Sequence, residues 1–186
     1  MDGNPTLQAV RLEARDVIVR KAREGDREGF VKVFTDPEVR AYLGGAKPRA
    51  DVERFLDAAG VANLTNASGA YVVADRATDR FLGMASLCRR PADQPGHVVH
   101  GGEELELSYV LRRDAWGKGA AFQAAEAILR SAAAELPDQP VLVTTQTANE
   151  PSLKLAARLG FTVVGTFQAH GAEQTLATAP LSAFLG

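Results

Sequence analysis

The stretch "DAWGKGAA" (Asp114–Ala121) places two glycines around one lysine, where a strand-like run hands over to an alanine-rich one. No other feature restricts the fold as strongly. On its near side, "EELELSYVLRR" (Glu103–Arg113) alternates. Leu105, Leu107, Tyr109 and Leu111 point one way and Glu104, Glu106, Ser108 and Val110 the other, the period of a half-buried strand. On its far side, "KGAAFQAAEAILRSAAAEL" (Lys118–Leu136) reads as a strong helix, ended by Pro137. A strand, a glycine turn and a helix N-terminus together make an anion site. The first helical turn leaves N–H groups unpaired, and the helix dipole adds partial positive charge. Gly117 and Gly119 remove side chains that would hold a phosphate away, and Ala120 and Ala121 keep the turn open. Arg112, Arg113 and Lys118 set positive charge nearby, against Asp114 alone.

The remaining elements build one domain around this corner. Residues 1–14 read as a flexible lead-in and 15–186 as the domain. "DVIVRKA" (Asp16–Ala22) opens with a strand, and Phe30, Val33 and Phe34 fall at helical spacing until Asp36-Pro37 stops them. "PEVRAYL" is a short turn ending at Gly44-Gly45. Val52, Phe55, Leu56 and Ala59 share one face of a further helix, Arg49–Leu64. Gly69–Asp75 and Arg80–Arg90 are strands joined closely enough for a hairpin. Pro91–Gly102 is turn-rich and polar. After the long helix come a strand, Pro140–Ala148, and a helix over Asn149–Gly160, with Asn149 as N-cap, Pro151 in the first turn and Gly160 as the stop. Strands Phe161–Phe167 and Ala172–Ala179 close the chain. The order β-α-α-β-β-β-α-β-α-β-β predicts an α/β domain with a mixed sheet covered by helices.

Composition excludes several classes. The 186 residues are 46% hydrophobic and 24% charged, and the formal net charge is −2. That balance gives no reason to expect nucleic acid or an anionic membrane as partner. With one cysteine, Cys88, an intrachain disulfide is impossible, which agrees with a reducing compartment. The N-terminus has no basic start followed by an apolar core, so a signal peptide is not expected. No apolar run approaches the ~20 residues a membrane span needs. These features predict a cytoplasmic protein.

The glycine turn alone leaves its ligand open. A nucleoside-triphosphate loop needs a lysine followed by Ser or Thr after the second glycine. Here the lysine lies between the glycines and Ala120 follows. A dinucleotide fold needs a third glycine and an acid about 20 residues on. A coenzyme A pyrophosphate clamp and a ligand-free connection both fit.

The downstream pattern bears on this choice. "WGKGAA", then a helix, a strand, "TANEPS" and "LAARLGF" resembles the GNAT acetyltransferase superfamily over Asp16 to Thr178. "VIVRKAREGD", "LELSYVLRRDAWGKGAAFQAAEAIL" and "NEPSLKLAARLGF" resemble the RimJ/RimL-like branch, which acetylates N-terminal amines of ribosomal proteins. The resemblance implies a GNAT-like fold: a central, mostly antiparallel sheet with flanking helices, whose fourth and fifth family strands splay apart to admit a thioester. It implies acetyl-coenzyme A as cofactor. The diphosphate would lie on Trp116, Gly117, Lys118, Gly119, Ala120 and Ala121, and the pantetheine arm along Val110, Leu111 and Arg112. Asn149 would contact the pantetheine amide as well as cap its helix. The acceptor would be a peptide N-terminal amine or a small-molecule amine such as a polyamine or antibiotic, and the resemblance admits a homodimer.

Amine acetylation must remove a proton from the amine, stabilise an oxyanion and protonate a thiolate. Glu106, on the polar face of its strand, matches the branch's acidic position and is the candidate base, acting directly or through water. Glu104, one pair away, suits acceptor binding or a solvated face. Ser108 stands where the branch has glycine. A backbone N–H of Val110 or Leu111 would serve the oxyanion. Many members carry a tyrosine acid on the closing helix. That position is Ala156 here, which leaves Ser152 or water to protonate the sulfur; the resemblance also lets Ser152 bind the cofactor by a hydrogen bond to the pantetheine. His97 and His100 lack metal-type partners and read as loop or acceptor contacts. Cys88 reads as a small packing residue. Tyr42 and the helix Arg49–Leu64, with Asp51, Glu53 and Asp57, border the acceptor side. Two other classes stay in view: a silent acyl-coenzyme A sensor, which the missing tyrosine allows, and a nucleotide-binding module.

Overall fold

The computed structural model describes residues 4–186. Its eight strands are β1 (Arg11–Glu13), β2 (Val17–Arg20), β3 (Ala70–Asp75), β4 (Phe81–Arg89), β5 (Leu105–Leu111), β6 (Pro140–Gln146), β7 (Thr162–Ala169) and β8 (Ala172–Pro180). Its four α-helices are α1 (Arg27–Thr35), α2 (Arg49–Ala59), α3 (Ala120–Glu135) and α4 (Glu150–Leu159). The strands form one sheet in the order β1-β2-β3-β4-β5-β6-β8-β7. Every neighbouring pair is antiparallel except β5–β6, which is parallel because α3 carries the chain between them.

Alternation along the strands separates two cores. On one face Leu105, Leu107 and Leu111 meet Ala124, Ala125, Ile128, Leu129 and Ala132 of α3, with Ala156 and Leu159 of α4. The alanines of α3 let the helix lie close to the sheet over four turns. On the other face Phe30, Val31 and Val33 of α1 and Val52 and Leu56 of α2 cover Val72, Ala74 and Phe81. Here α1 approaches the sheet through Gly29, where an added Cβ would sit 2.3 Å from the Phe81 ring.

The lead-in departs from expectation. Met1–Gly3 lie outside the described residues, but from Leu7 onward the segment is packed. Leu7 is fully buried, the Tyr71 hydroxyl donates to the Ala9 carbonyl at 2.5 Å, and β1 pairs with β2. A three-residue strand with one inward leucine is too short to show a period, so the sequence pattern did not reveal it.

The sheet's irregularity sits where β5 meets β6. Pairing is confined to Leu105↔Val141 and Glu106↔Leu142, after which the strands diverge. The β4–β5 ladder stays regular to Gly83↔Leu111, and Arg112 N–H donates to the Leu82 carbonyl at 2.8 Å. Alternation then turns the main-chain groups of Val110 and Ser108 toward β4, and those of Leu107, Tyr109 and Leu111 toward the gap.

Candidate active site

The glycine turn lies at the open end of this gap. A short 3₁₀ turn, Arg113–Ala115, follows β5, and Gly119 then adopts a left-handed conformation (φ 76°) as N-cap of α3. Gly117 is left-handed too, at φ 72°. Such φ values favour glycine, which has no Cβ to clash with the main chain. The first main-chain bond into α3 runs from Gln123 N–H to the Gly119 carbonyl. No side chain caps the helix, so the N–H groups of the preceding turn stay free for an anion. The space above is open. A Cβ on Gly117 would meet nothing within 4 Å, and one on Gly119 only the Gln123 amide at 3.9 Å. These residues fit a diphosphate.

The nearby cations are arranged differently from the sequence expectation. Arg113 turns away to Asp36 (2.9 Å) and Glu38 (2.8 Å). Arg112 and Arg80 share Asp114, at 2.8 and 2.6 Å. Burial raises the pKa of Asp114, but the two guanidinium groups outweigh it and hold the carboxyl below the usual carboxylate range. Lys118 donates to the Asp114 carbonyl at 3.0 Å, and the Trp116 indole N–H to the Leu111 carbonyl at 3.0 Å. Positive charge beside the turn therefore comes from Lys118 and the Arg80–Arg112 pair. Arg112 offers the gap neither its guanidinium nor its N–H.

At the apex of the gap, Glu106 is held by two partners that sequence reading missed. Arg90 donates to one carboxylate oxygen at 2.6 Å and the Thr144 hydroxyl to the other at 3.0 Å. Thr144 lies on β6 just past the last paired residue, so the Glu106–Thr144 bond spans the strands where their main chains part. The Arg90 side chain is 9% exposed and that of Glu106 18%. A charged residue ending β4 beside an acidic strand was the available signal for Arg90. Thr144 gave none, because strand partnership is set by the fold.

Glu104 does not reach the acceptor side as expected. Its buried carboxylate accepts from Val98 N–H (3.1 Å) and Val99 N–H (2.7 Å), and contacts His97 Nδ1. Burial works against its charge, but His97 and the Val99 amide outweigh it and hold the carboxyl below its ordinary value. The hydrogen bond to Glu104 raises the pKa of His97. His97 Nε2 also faces the Pro91 carbonyl at 3.0 Å, so both ring nitrogens meet acceptors and the imidazolium satisfies both. Glu104 and His97 thus fold the 91–103 loop. Among the described residues no group of His, Cys, Asp and Glu could hold a metal ion. Cys88 is a half-buried free thiol whose pKa burial raises.

At the start of α4, Asn149 caps as expected: its Oδ1 accepts from Ser152 N–H at 3.5 Å, and its amide donates to the Thr145 hydroxyl at 3.0 Å. Ala156 is buried in the core. From across the gap the Tyr109 hydroxyl donates to the Ser152 carbonyl at 3.0 Å and lies 3.1 Å from Ser152 Oγ. On the opposite face the acids of α2 are all engaged: Asp51 by Arg54, Glu53 by Arg49 and Asp57 by Arg27. The Gln146 amide donates to the Tyr42 carbonyl at 3.3 Å, which ties the turn after α1 to the end of β6.

Comparison with known proteins places this geometry. A family model described as an acetyltransferase (GNAT) domain matches residues 16–162. An acetyltransferase of the GNAT family from Bacillus anthracis superposes with a TM-score of 0.72 at 19% identity, covering 92% of this chain and 99% of that one. The ribosomal alpha-N-protein acetyltransferase RimL, in complex with coenzyme A, gives 0.65 at 13% identity over 93% and 99%. Spermidine N-acetyltransferase from Vibrio cholerae, in complex with coenzyme A and spermine, gives 0.66 at 16% over 92% and 99%. These structures share the fold.

Proposed function

The chain belongs to the GNAT acetyltransferase family, and from that premise we propose that it acetylates a peptide N-terminal amine, in the manner of the RimJ/RimL-like branch. As a family member it is an acyl-coenzyme A-dependent N-acetyltransferase, and its cofactor is acetyl-coenzyme A. The observation that carries the finer reading is the gap itself: strands that part beside a carboxylate, with an open glycine turn at their mouth.

Acetyl-coenzyme A supplies an acetyl group activated as a thioester. The free N–H groups of Gly117 to Ala121 hold its diphosphate, with Lys118 beside them. The main-chain groups of Tyr109, left unpaired by β6, take the pantetheine arm, while the Leu111 carbonyl is held by the Trp116 indole. Leu111 N–H is better aimed than that of Val110 at charge developing on the acetyl oxygen, since alternation turns Val110 toward β4. Glu106 accepts the amine proton directly or through water, since Arg90 and Thr144 each take one lone pair of a different oxygen and leave another free. Asn149 fixes the α4 N-terminus, and Ser152 offers a hydroxyl to the leaving sulfur.

The paired acids of α2 favour a peptide amine over a polyamine, since a polycation finds no free row of carboxylates there. The test is thiol release from acetyl-coenzyme A over a panel of peptide N-termini, polyamines and aminoglycosides. Release with peptides is the expected result. Release confined to polyamines or aminoglycosides overturns the acceptor, and cofactor binding without release on any amine supports a silent sensor.

A further inference from the structure

Tyr109 is the one residue on the apolar face of β5 that ends in a polar group, and that group is not spent inside the core. It lies three residues beyond Glu106, the last β5 residue paired with β6. Its hydroxyl reaches the first turn of α4, 3.0 Å from the Ser152 carbonyl and 3.1 Å from Ser152 Oγ. The contact therefore crosses the gap on the α3 side, while Glu106–Thr144 crosses it at the apex on the other. One turn further along α4, Ala156 carries no hydroxyl.

We propose that Tyr109 is a positioning residue for Ser152, its phenol fixing the serine hydroxyl in the gap so that the pair presents an O–H to the departing sulfur. The inference rests on the acetyl-transfer reading above. In that step the C–N bond forms and the C–S bond breaks, its electron pair staying on sulfur. The amine proton leaves through Glu106. Sulfur takes the Ser152 hydroxyl proton, the phenol turns its one proton from the Ser152 carbonyl to Ser152 Oγ and gives it up there, and solvent restores the phenol. Burial raises the pKa of the phenol, outweighing its contact with the Ser152 side chain, so it keeps its proton across the neutral range. No charged side chain is hydrogen-bonded to it among the described residues, and the charged residues of α4, Glu150, Lys154 and Arg158, are exposed.

The test needs no knowledge of the acceptor. Affinities of the full chain for coenzyme A and for desulfo-coenzyme A are measured by calorimetry at pH 7 and pH 9. A hydroxyl aimed at sulfur stabilises thiolate over thiol, so coenzyme A binding should strengthen about tenfold relative to the desulfo compound at the higher pH. Tyr109→Phe and Ser152→Ala should each abolish that gain while leaving desulfo-coenzyme A affinity unchanged. Retention of the gain in Tyr109→Phe, or its absence from the unaltered protein, overturns the proposal. Equal weakening toward both compounds overturns it too, in favour of a purely structural tyrosine. Should Tyr109→Phe fail to fold, Tyr109→Met, which fills the same half-buried position without a hydroxyl, takes its place. If the unaltered protein binds neither compound, the acetyltransferase reading itself fails.

Discussion

In the proposed reaction Glu106 has two tasks for one carboxylate. It closes the apex of the gap through Thr144 and balances a nearly buried guanidinium, and it is also placed to take a proton. Glu106→Gln separates these. Its amide can still meet Thr144, so coenzyme A affinity should stay within about twofold, while turnover at neutral pH falls by about 10²–10⁴, the usual range for a lost general base. Steady-state kinetics beside calorimetry checks both, and unaltered turnover would assign proton removal to another group. Arg90→Met should lower stability by about 3 kcal/mol, because it strands a largely covered carboxylate, read as a lower Tm by calorimetric scanning. At this scale the sequence was informative about faces and silent about partners. Strand alternation put Glu106 and Tyr109 on opposite sides correctly, since period two is a local property. Arg90, Thr144 and the Tyr109–Ser152 contact join strands and helices far apart in the chain, and no spacing rule reports such pairs.

Among the elements, the glycine turn and the N-cap of α4 carry separate predictions. Gly119→Val places a branched side chain on a left-handed backbone and in the open space above the turn. Coenzyme A affinity should fall at least tenfold, and Gly119→Ala, with the same backbone strain but less bulk, should fall less. Equal effects from both would attribute the loss to strain alone. Asn149→Ala removes the acceptor for Ser152 N–H and should cost about 1 kcal/mol in chemical denaturation. Both elements were legible because turn glycines, caps and stops act within a few residues. The charge around the turn was not: the sequence put three cations against one acid, and the fold brought Asp36, Glu38 and Arg80 to the same place.

Over the whole molecule, pH acts on the loop that leads into β5. The raised pKa of His97 gives stability fully present below the ordinary histidine value of about 6.5 and lost as pH rises through the raised one. The lowered pKa of Glu104 gives stability present above its ordinary value and lost as pH falls through the lowered one. The loop is therefore held best at mildly acidic to neutral pH. Limited proteolysis within residues 91–102 should accelerate from pH 6 to pH 9 beyond the protease's own pH response, and His97→Ala should erase that difference. The order of elements from β2 onward followed from the sequence pattern, while β1 did not. Among the described residues no helix is long and apolar enough to cross a membrane.

The two-rung seam between β5 and β6 has a mechanical consequence. Five strands stand on one side of it and three on the other, so the sheet is scored almost through along the gap that opens beyond Glu106. A ligand laid in that score line replaces the rungs that the strands omit and fastens the two plates together. In the binding mode proposed above, acetyl-coenzyme A acts as mortar as well as reagent.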